Sequence, residues 1–138
     1  MSNFEETLIL PIEDLSERRA ILRKELSKTV VELVTRSIRD SIENAFANAD
    51  LPKKLTRVTW EFHGEYDDEG GTAYYPSYIQ IYNEDGEIDE SELEGIIIKE
   101  KSSHSDYIFE YSADEYISDL LHEYSSELYE YDIEEILL

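Results

Sequence analysis

Apolar residues recur at helical spacing from Pro11 to about Asn48. Leu15, Leu22, Leu26 and Leu33 share one face. Val31, Ile38, Ile42, Ala45 and Ala49 share another, turned by roughly 150° at 100° per residue. One straight helix would therefore be apolar on one side early and on the far side late. Two outcomes fit. The helix breaks near Ser27–Val30 and folds back as a pair, or its first half packs on something different, a second copy of the chain being one candidate. Pro11 suits the opening, Asp14 and Ser16 are candidate caps, and Asp50, Leu51 and Pro52 close the stretch. Residues 4–10 read as a short extended arm.

After Pro52 the period changes. Val58, Trp60 and Phe62 alternate with Thr59, Glu61 and His63, which predicts a strand with one buried face. Gly64–Thr72 reads as a loop. Ser77–Tyr82 reads as a second strand with Ile79 and Ile81 inward and Tyr78, Gln80 and Tyr82 outward. Asn83–Gly86 reads as a turn, Gly95–Lys101 as a third strand and Ser102–Asp106 as a loop. Tyr107–Tyr111 makes a fourth strand, with Tyr107, Phe109 and Tyr111 on one face. Ser112 and Glu115 have the spacing of a capping box for a last helix. On that helix Ile117, Leu120, Leu121, Tyr124, Leu128 and Tyr131 fill an arc of about 100°. Glu115, Asp119 and Glu130 fall opposite, while Glu123, Glu127 and Glu134 run along one flank. The pattern fails after Asp132, so the helix should end or bend there and Ile136–Leu138 pack separately. The expected fold is α+β: an N-terminal helical region, an antiparallel sheet of about four strands and a C-terminal helix. The 138 residues suit a single domain, 1–138.

Charge changes this picture more than composition does. The formal net charge is −22, far beyond what solubility requires. Residues 1–57 hold ten Lys/Arg and ten Asp/Glu, which cancel. Residues 58–138 hold Lys99 and Lys101 against 24 Asp/Glu, and all eleven tyrosines. With apolar residues at 41%, the chain is not a disordered acidic tail. It has no cysteine, which excludes a disulfide scaffold and thiolate metal sites. There is no long apolar run for a membrane span, and MSNFEETLIL lacks the plan of a signal peptide. The cytoplasm is the expected compartment.

Carboxylates four apart on a helix stand about 6 Å apart, close to the spacing of phosphates along one nucleic-acid strand. Ordinary helix surfaces mix Lys with Glu, because like charges at this spacing repel. Here a whole face goes unmixed. An over-charged solvated surface of a salt-adapted proteome is the alternative, but there acidity would be general, and residues 1–57 are neutral. The candidate partner-binding set is Glu115, Asp119, Glu123, Glu127 and Glu130, joined by Asp67, Asp68 and Glu69, by Glu84 and Asp85, and by Tyr116 and Tyr129 on the border. Acid beside tyrosine suits an Arg/Lys-rich partner, through charge pairing and cation–π contact. The basic residues Arg18, Arg19, Arg23, Lys24 and Lys28 could neutralise part of the acidic half internally.

Other chemistry has little support. Asn83–Glu92 nearly matches a calcium loop, but its first position is Ile81, which also reads as strand interior, and no helix precedes it. A hairpin turn with acidic decoration fits better. His63, His104 and His122 are scattered, and no P-loop, GxSxG or GxGxxG occurs, so neither an enzyme nor a resident cofactor or metal is expected. Direct nucleic-acid binding is disfavoured, since phosphates would be repelled.

In the charge plan of Glu61–Glu135 and in small size, the chain resembles the acidic proteins that mimic nucleic acid, the phage- or plasmid-encoded inhibitors of restriction, CRISPR or recombination nucleases. The resemblance lies in charge, not in a motif, and implies no fold. It implies a non-enzymatic inhibitor that fills the basic DNA- or RNA-binding groove of a host defence nuclease. Two other readings share the chemistry: an immunity protein neutralising a cationic toxin nuclease, and an acidic chaperone or adaptor for a basic protein.

Overall fold

The computed structural model describes residues 11–138, so the arm expected at 4–10 lies outside the described residues. The chain divides into two units, residues 1–33 and 34–138. This boundary falls inside the first helix, not at the charge boundary near residue 57.

Helix α1, Ile12–Phe46, is unbroken. Neither the break at Ser27–Val30 nor the folded-back pair forms. The sequence gives the reason: no Gly or Pro interrupts residues 12–46. Leu15 donates its N–H to the Pro11 carbonyl at 3.1 Å, so the helix starts ahead of Asp14 and Ser16 and neither caps it. Glu13 and Asp14 instead lie in the first turn, where carboxylates face the free N–H groups. Within unit 1 no side chain from Ile12 to Leu33 is buried.

Unit 34–138 buries Val34, Ile38, Ile42 and Phe46 of α1, each four residues from the next. Strands β1 (Leu55–Tyr66) and β2 (Thr72–Asn83) form a long antiparallel hairpin. Both outrun the strands expected at 58–62 and 77–82, and the loop shrinks to residues 67–71. Gly64 stays inside β1 because the Tyr74 ring lies across it; a Cβ there would meet Tyr74 Cε1 at 2.9 Å. The short loop is knit by Asp67. Its Oδ1 accepts the N–H groups of Glu69 at 3.0 Å and Gly71 at 2.7 Å, and Gly70 takes a φ of 84°. Further along, Thr59 pairs with Gln80 but Glu61 pairs with Ser77, so β2 bulges at Tyr78 and Ile79, and Tyr78 adopts a φ of 49°.

The main sheet has the order β3-β2-β1-β6, where β3 is Gly86–Glu87 and β6 is Glu135–Leu137. Two of the four expected strands are therefore not in it. β4 (Ile97–Lys101) and β5 (Ile108–Ser112) make a separate two-stranded sheet, with Ile98 opposite Tyr111. Gly95, expected to start a strand, ends helix α2, Glu90–Gly95. The last helix is also divided: α3 (Ala113–Glu123) and α4 (Ser125–Glu130) meet at Tyr124, whose φ of −102° and ψ of 13° leave the helical range. Ser112 holds the N-cap position, yet its side chain makes no capping bond, so the capping box does not form. Past Asp132, at φ 54°, the chain turns back as the failing pattern predicts, and Arg57, Val58 and Thr59 pair with Leu137, Ile136 and Glu135.

Ile38, Ile42, Val58, Ile81, Ile98, Ile117, Leu121 and Leu128 form the fully buried centre of unit 34–138. Each such side chain stabilises the fold by about 1.5–3 kcal/mol. Among the described residues no charged or polar residue is buried. Two buried side-chain atoms of the described residues have no hydrogen-bond partner, Nε1 of Trp60 and Oδ1 of the half-buried Asp114. Among the described residues no helix is long and apolar enough to cross a membrane.

Candidate acidic binding surface

Since no charge is buried, the described carboxylates of residues 58–138 all reach the surface. Glu115, Asp119 and Glu123 lie four apart on α3 and are exposed, which places them in one row at steps of about 6 Å. Glu127 and Glu130 belong to α4, where Glu127 is half-buried and Glu130 exposed. The five do not form one continuous helical row, because the Tyr124 break separates three from two.

Tyr116 is a wall of this surface more than a projection from it. Its ring meets Phe46 edge-on at 6.3 Å and Tyr111 at 6.4 Å, and its hydroxyl donates to the Ser41 carbonyl at 3.5 Å. Burial raises its phenol above the ordinary 10.0, and the charges of Glu100 and Glu123 add to the effect. With Glu100, Tyr111, Asp119, Leu120 and Glu123 it lines an open hollow of about 210 Å³. Tyr129 stacks on Tyr74 at 4.1 Å with an interplanar angle of 5°, and Phe62 meets it edge-on at 5.3 Å. Its phenol is also raised from 10.0, first by desolvation, then by a hydrogen bond with Tyr74. These rings fasten α4 to the hairpin.

The loops divide into residues with and without structural duties. Asp67 builds its own turn, while Asp68 and Glu69 stand exposed at the hairpin tip. Asp85 pairs with Lys53, and Glu84 sits exposed beside it. Within 81–92 the chain ends β2, turns at 83–86 into β3 and enters α2 at Glu90, so the segment is not one continuous twelve-residue loop. Ile81 is buried in β2, and Asn83 Oδ1 accepts the Asp85 N–H at 2.9 Å.

Cations reach this surface sparsely. Among the described residues its ion pairs are Lys53–Asp85, Arg57–Glu135 at 3.5 Å and Lys99–Glu110 at 4.0 Å. All are exposed, so each contributes little. Arg57 is informative in another way. Its guanidinium lies 4.1 Å from the centre of the Tyr82 ring while reaching Glu135. The protein thus holds one of its own arginines between a tyrosine face and a carboxylate.

A second concavity, about 530 Å³, is lined by Thr59, Trp60, Glu61, Tyr78, Gln80, Glu134 and Glu135. Sequence reasoning left Glu100, Glu61, Tyr78 and Glu135 out of the site. Glu61 and Tyr78 could be placed outward by strand alternation. Glu135 could not, because its place depends on pairing between β6 and β1. Glu90, Glu94 and Asp114 were missed too, and they bring one carboxylate oxygen each within 4.8 Å of one another. Such a group has the chemistry to hold a hard cation, though exposed acids reach this spacing without one.

Among the described residues the histidines do not cluster. His63 and His104 are exposed, and His122 stacks on Tyr75 at 5.7 Å. A larger cleft of about 800 Å³, between the end of α1 and β4, has Ser41, Asp50, Lys99, Glu100 and Tyr116 as its reactive groups and no histidine in its walls. No protein-family model, no curated protein and no solved structure matches the chain.

Proposed function

We propose that the protein is a non-enzymatic inhibitor that mimics nucleic acid and occupies the basic DNA- or RNA-binding groove of a defence nuclease, in the manner of anti-restriction and anti-CRISPR proteins. One observation carries the reading: the acidic residues of 58–138 lie at the surface with few cations to neutralise them. A face of this kind attracts a groove built for phosphates and speeds encounter with it. The Arg57 arrangement adds a contact type, since tyrosines beside carboxylates receive guanidinium groups. Glu115, Asp119 and Glu123 form the ordered row, and Glu130, Asp68, Glu69 and Glu84 add exposed carboxylates from α4, the hairpin tip and the β2–β3 turn. Asp67 and Asp85 serve local structure, Tyr116 supports the surface as a half-buried wall, and Tyr129 lies exposed on it, stacked on Tyr74.

The test is capture on the immobilised protein from bacterial lysate at low and moderate salt, followed by competition. The expected result is enrichment of a nucleic-acid-binding enzyme that a polyanionic oligonucleotide displaces. If nothing that binds nucleic acid is enriched, or if the captured enzyme binds its nucleic acid and the protein together, the reading fails.

A further inference from the structure

Unit 1 carries a feature that nucleic-acid mimicry does not use. Between Ile12 and Leu33 the helix leaves most of its apolar residues uncovered: Leu22 is 58% exposed, Leu26 61% and Leu33 65%, while Leu15 is half-buried. Their spacing is that of a coiled-coil seam. Ile12, Leu15, Arg19, Leu22, Leu26, Thr29 and Leu33 step by three and four and stay within about 100° of arc, the a and d positions of three heptads. An interfacial membrane helix would show a broad apolar face with Trp or Phe, and this stretch has neither residue.

Charge selects the occupant. Residues 12–33 hold Arg18, Arg19, Arg23, Lys24 and Lys28 against Glu13, Asp14, Glu17, Glu25 and Glu32, and are neutral in sum. Any approach through residues 58–138 brings together surfaces that carry the whole net charge of −22. The helix is where two copies can meet without that repulsion.

Charge also selects the direction. In a parallel pair Arg19 would meet Arg19 in the seam, and Arg18 would flank Arg23 of the other copy. In an antiparallel pair with Leu15 opposite Leu26, Arg19 packs beside Leu22, with its head free to reach water. The same offset sets Arg18 against Glu25 of the other copy twice along one flank of the seam, and Arg23 beside the uncharged Ser16 on the other flank. We propose that a second copy of this chain covers the 12–33 stripe, forming an antiparallel two-helix coiled coil. This inference does not depend on the inhibitor reading.

The full chain, of 16.2 kDa, should sediment at twice that mass at tens of micromolar. Leu22→Glu combined with Leu26→Glu should return it to single mass with its far-ultraviolet spectrum largely kept, since both residues are exposed. A mixture of Leu15→Cys and Leu26→Cys chains should form the mixed disulfide on oxidation, a clean readout because the chain has no cysteine of its own. Single mass for the unaltered chain at every concentration overturns the proposal, whether residues 1–10 or anionic vesicles then prove to cover the stripe. So does a doubled mass that survives the Leu22/Leu26 change, or a Leu26→Cys chain that links mainly to itself.

Discussion

The two units solve opposite surface problems. Residues 12–33 expose leucines and balance their charges, while residues 34–138 close an apolar core, with Ile108 and Phe109 among the side chains left outside it, and leave their charges unbalanced. A helix with uncovered leucines gains from association, and an acidic surface resists association with its like. Polarity and function are therefore divided along the chain: one segment suits a copy of itself, the other a partner of opposite charge. The same helix crosses from one regime to the other at Leu33/Val34, where its apolar face changes side.

The sharpest way to probe this contrast is one truncation in each part of α1. Ile38 is fully buried, so Ile38→Ala should cost about 2–5 kcal/mol in chemical denaturation of unit 34–138. Leu22→Ala should leave that transition within about 0.5 kcal/mol, because Leu22 is exposed and lies outside the core of that unit. Equal costs would mean that the units are not independent. Next in size is the charge reversal Glu123→Lys with Glu127→Lys, which should weaken binding to a basic enzyme by roughly tenfold or more. Unchanged inhibition would move the mimic surface away from α3 and α4, towards the hairpin tip and the groove beside Glu61 and Glu135.

A smaller effect follows from self-repulsion. Screening reaches about 10 Å at 0.1 M salt, so raising sodium chloride from low to moderate concentration should raise the melting temperature of unit 34–138 by a few degrees. A protein whose carboxylates were internally neutralised would show no such rise. The smallest effect concerns Tyr116. Its phenol is raised above 10.0, so the neutral form is favoured in the folded state. That stabilisation is complete below the unfolded value of 10.0 and is lost as pH climbs through the folded value. Tyr116→Phe should therefore make stability fall less steeply above pH 10 than in the unaltered protein.

The α+β class, the first hairpin and the turn after Asp132 were legible because each rests on local periodicity. Val58 and Trp60 alternate with polar neighbours, and Ile133 and Leu137 fall out of helical phase. What was illegible depends on contacts distant in sequence. Gly64 reads as a loop until the Tyr74 ring is seen across it. Helix α2 is six residues with one buried leucine, too short for a period to show. The separation of β4 and β5 from the main sheet is a matter of partners, on which strand patterns are silent. The acidic site was legible as a set of residues, whereas the division of labour within it was not. Asp67 and Asp85 look like Asp68 and Glu84 in sequence, and only the Gly71 N–H and Lys53 distinguish them.

The pairing of β6 with β1 bears on how the molecule folds. Arg57 reaches Glu135 across 78 positions, and Arg39 donates to the Leu137 carbonyl across 98. Closing such long loops carries an entropic cost, so the pairing of β6 with β1 is expected to form after the local β1–β2 hairpin. The acidic segments must be drawn together before that closure repays them. Ionic strength should accordingly accelerate refolding more than it slows unfolding, and the single tryptophan, buried at Trp60 beside the closing strand, is placed to report it.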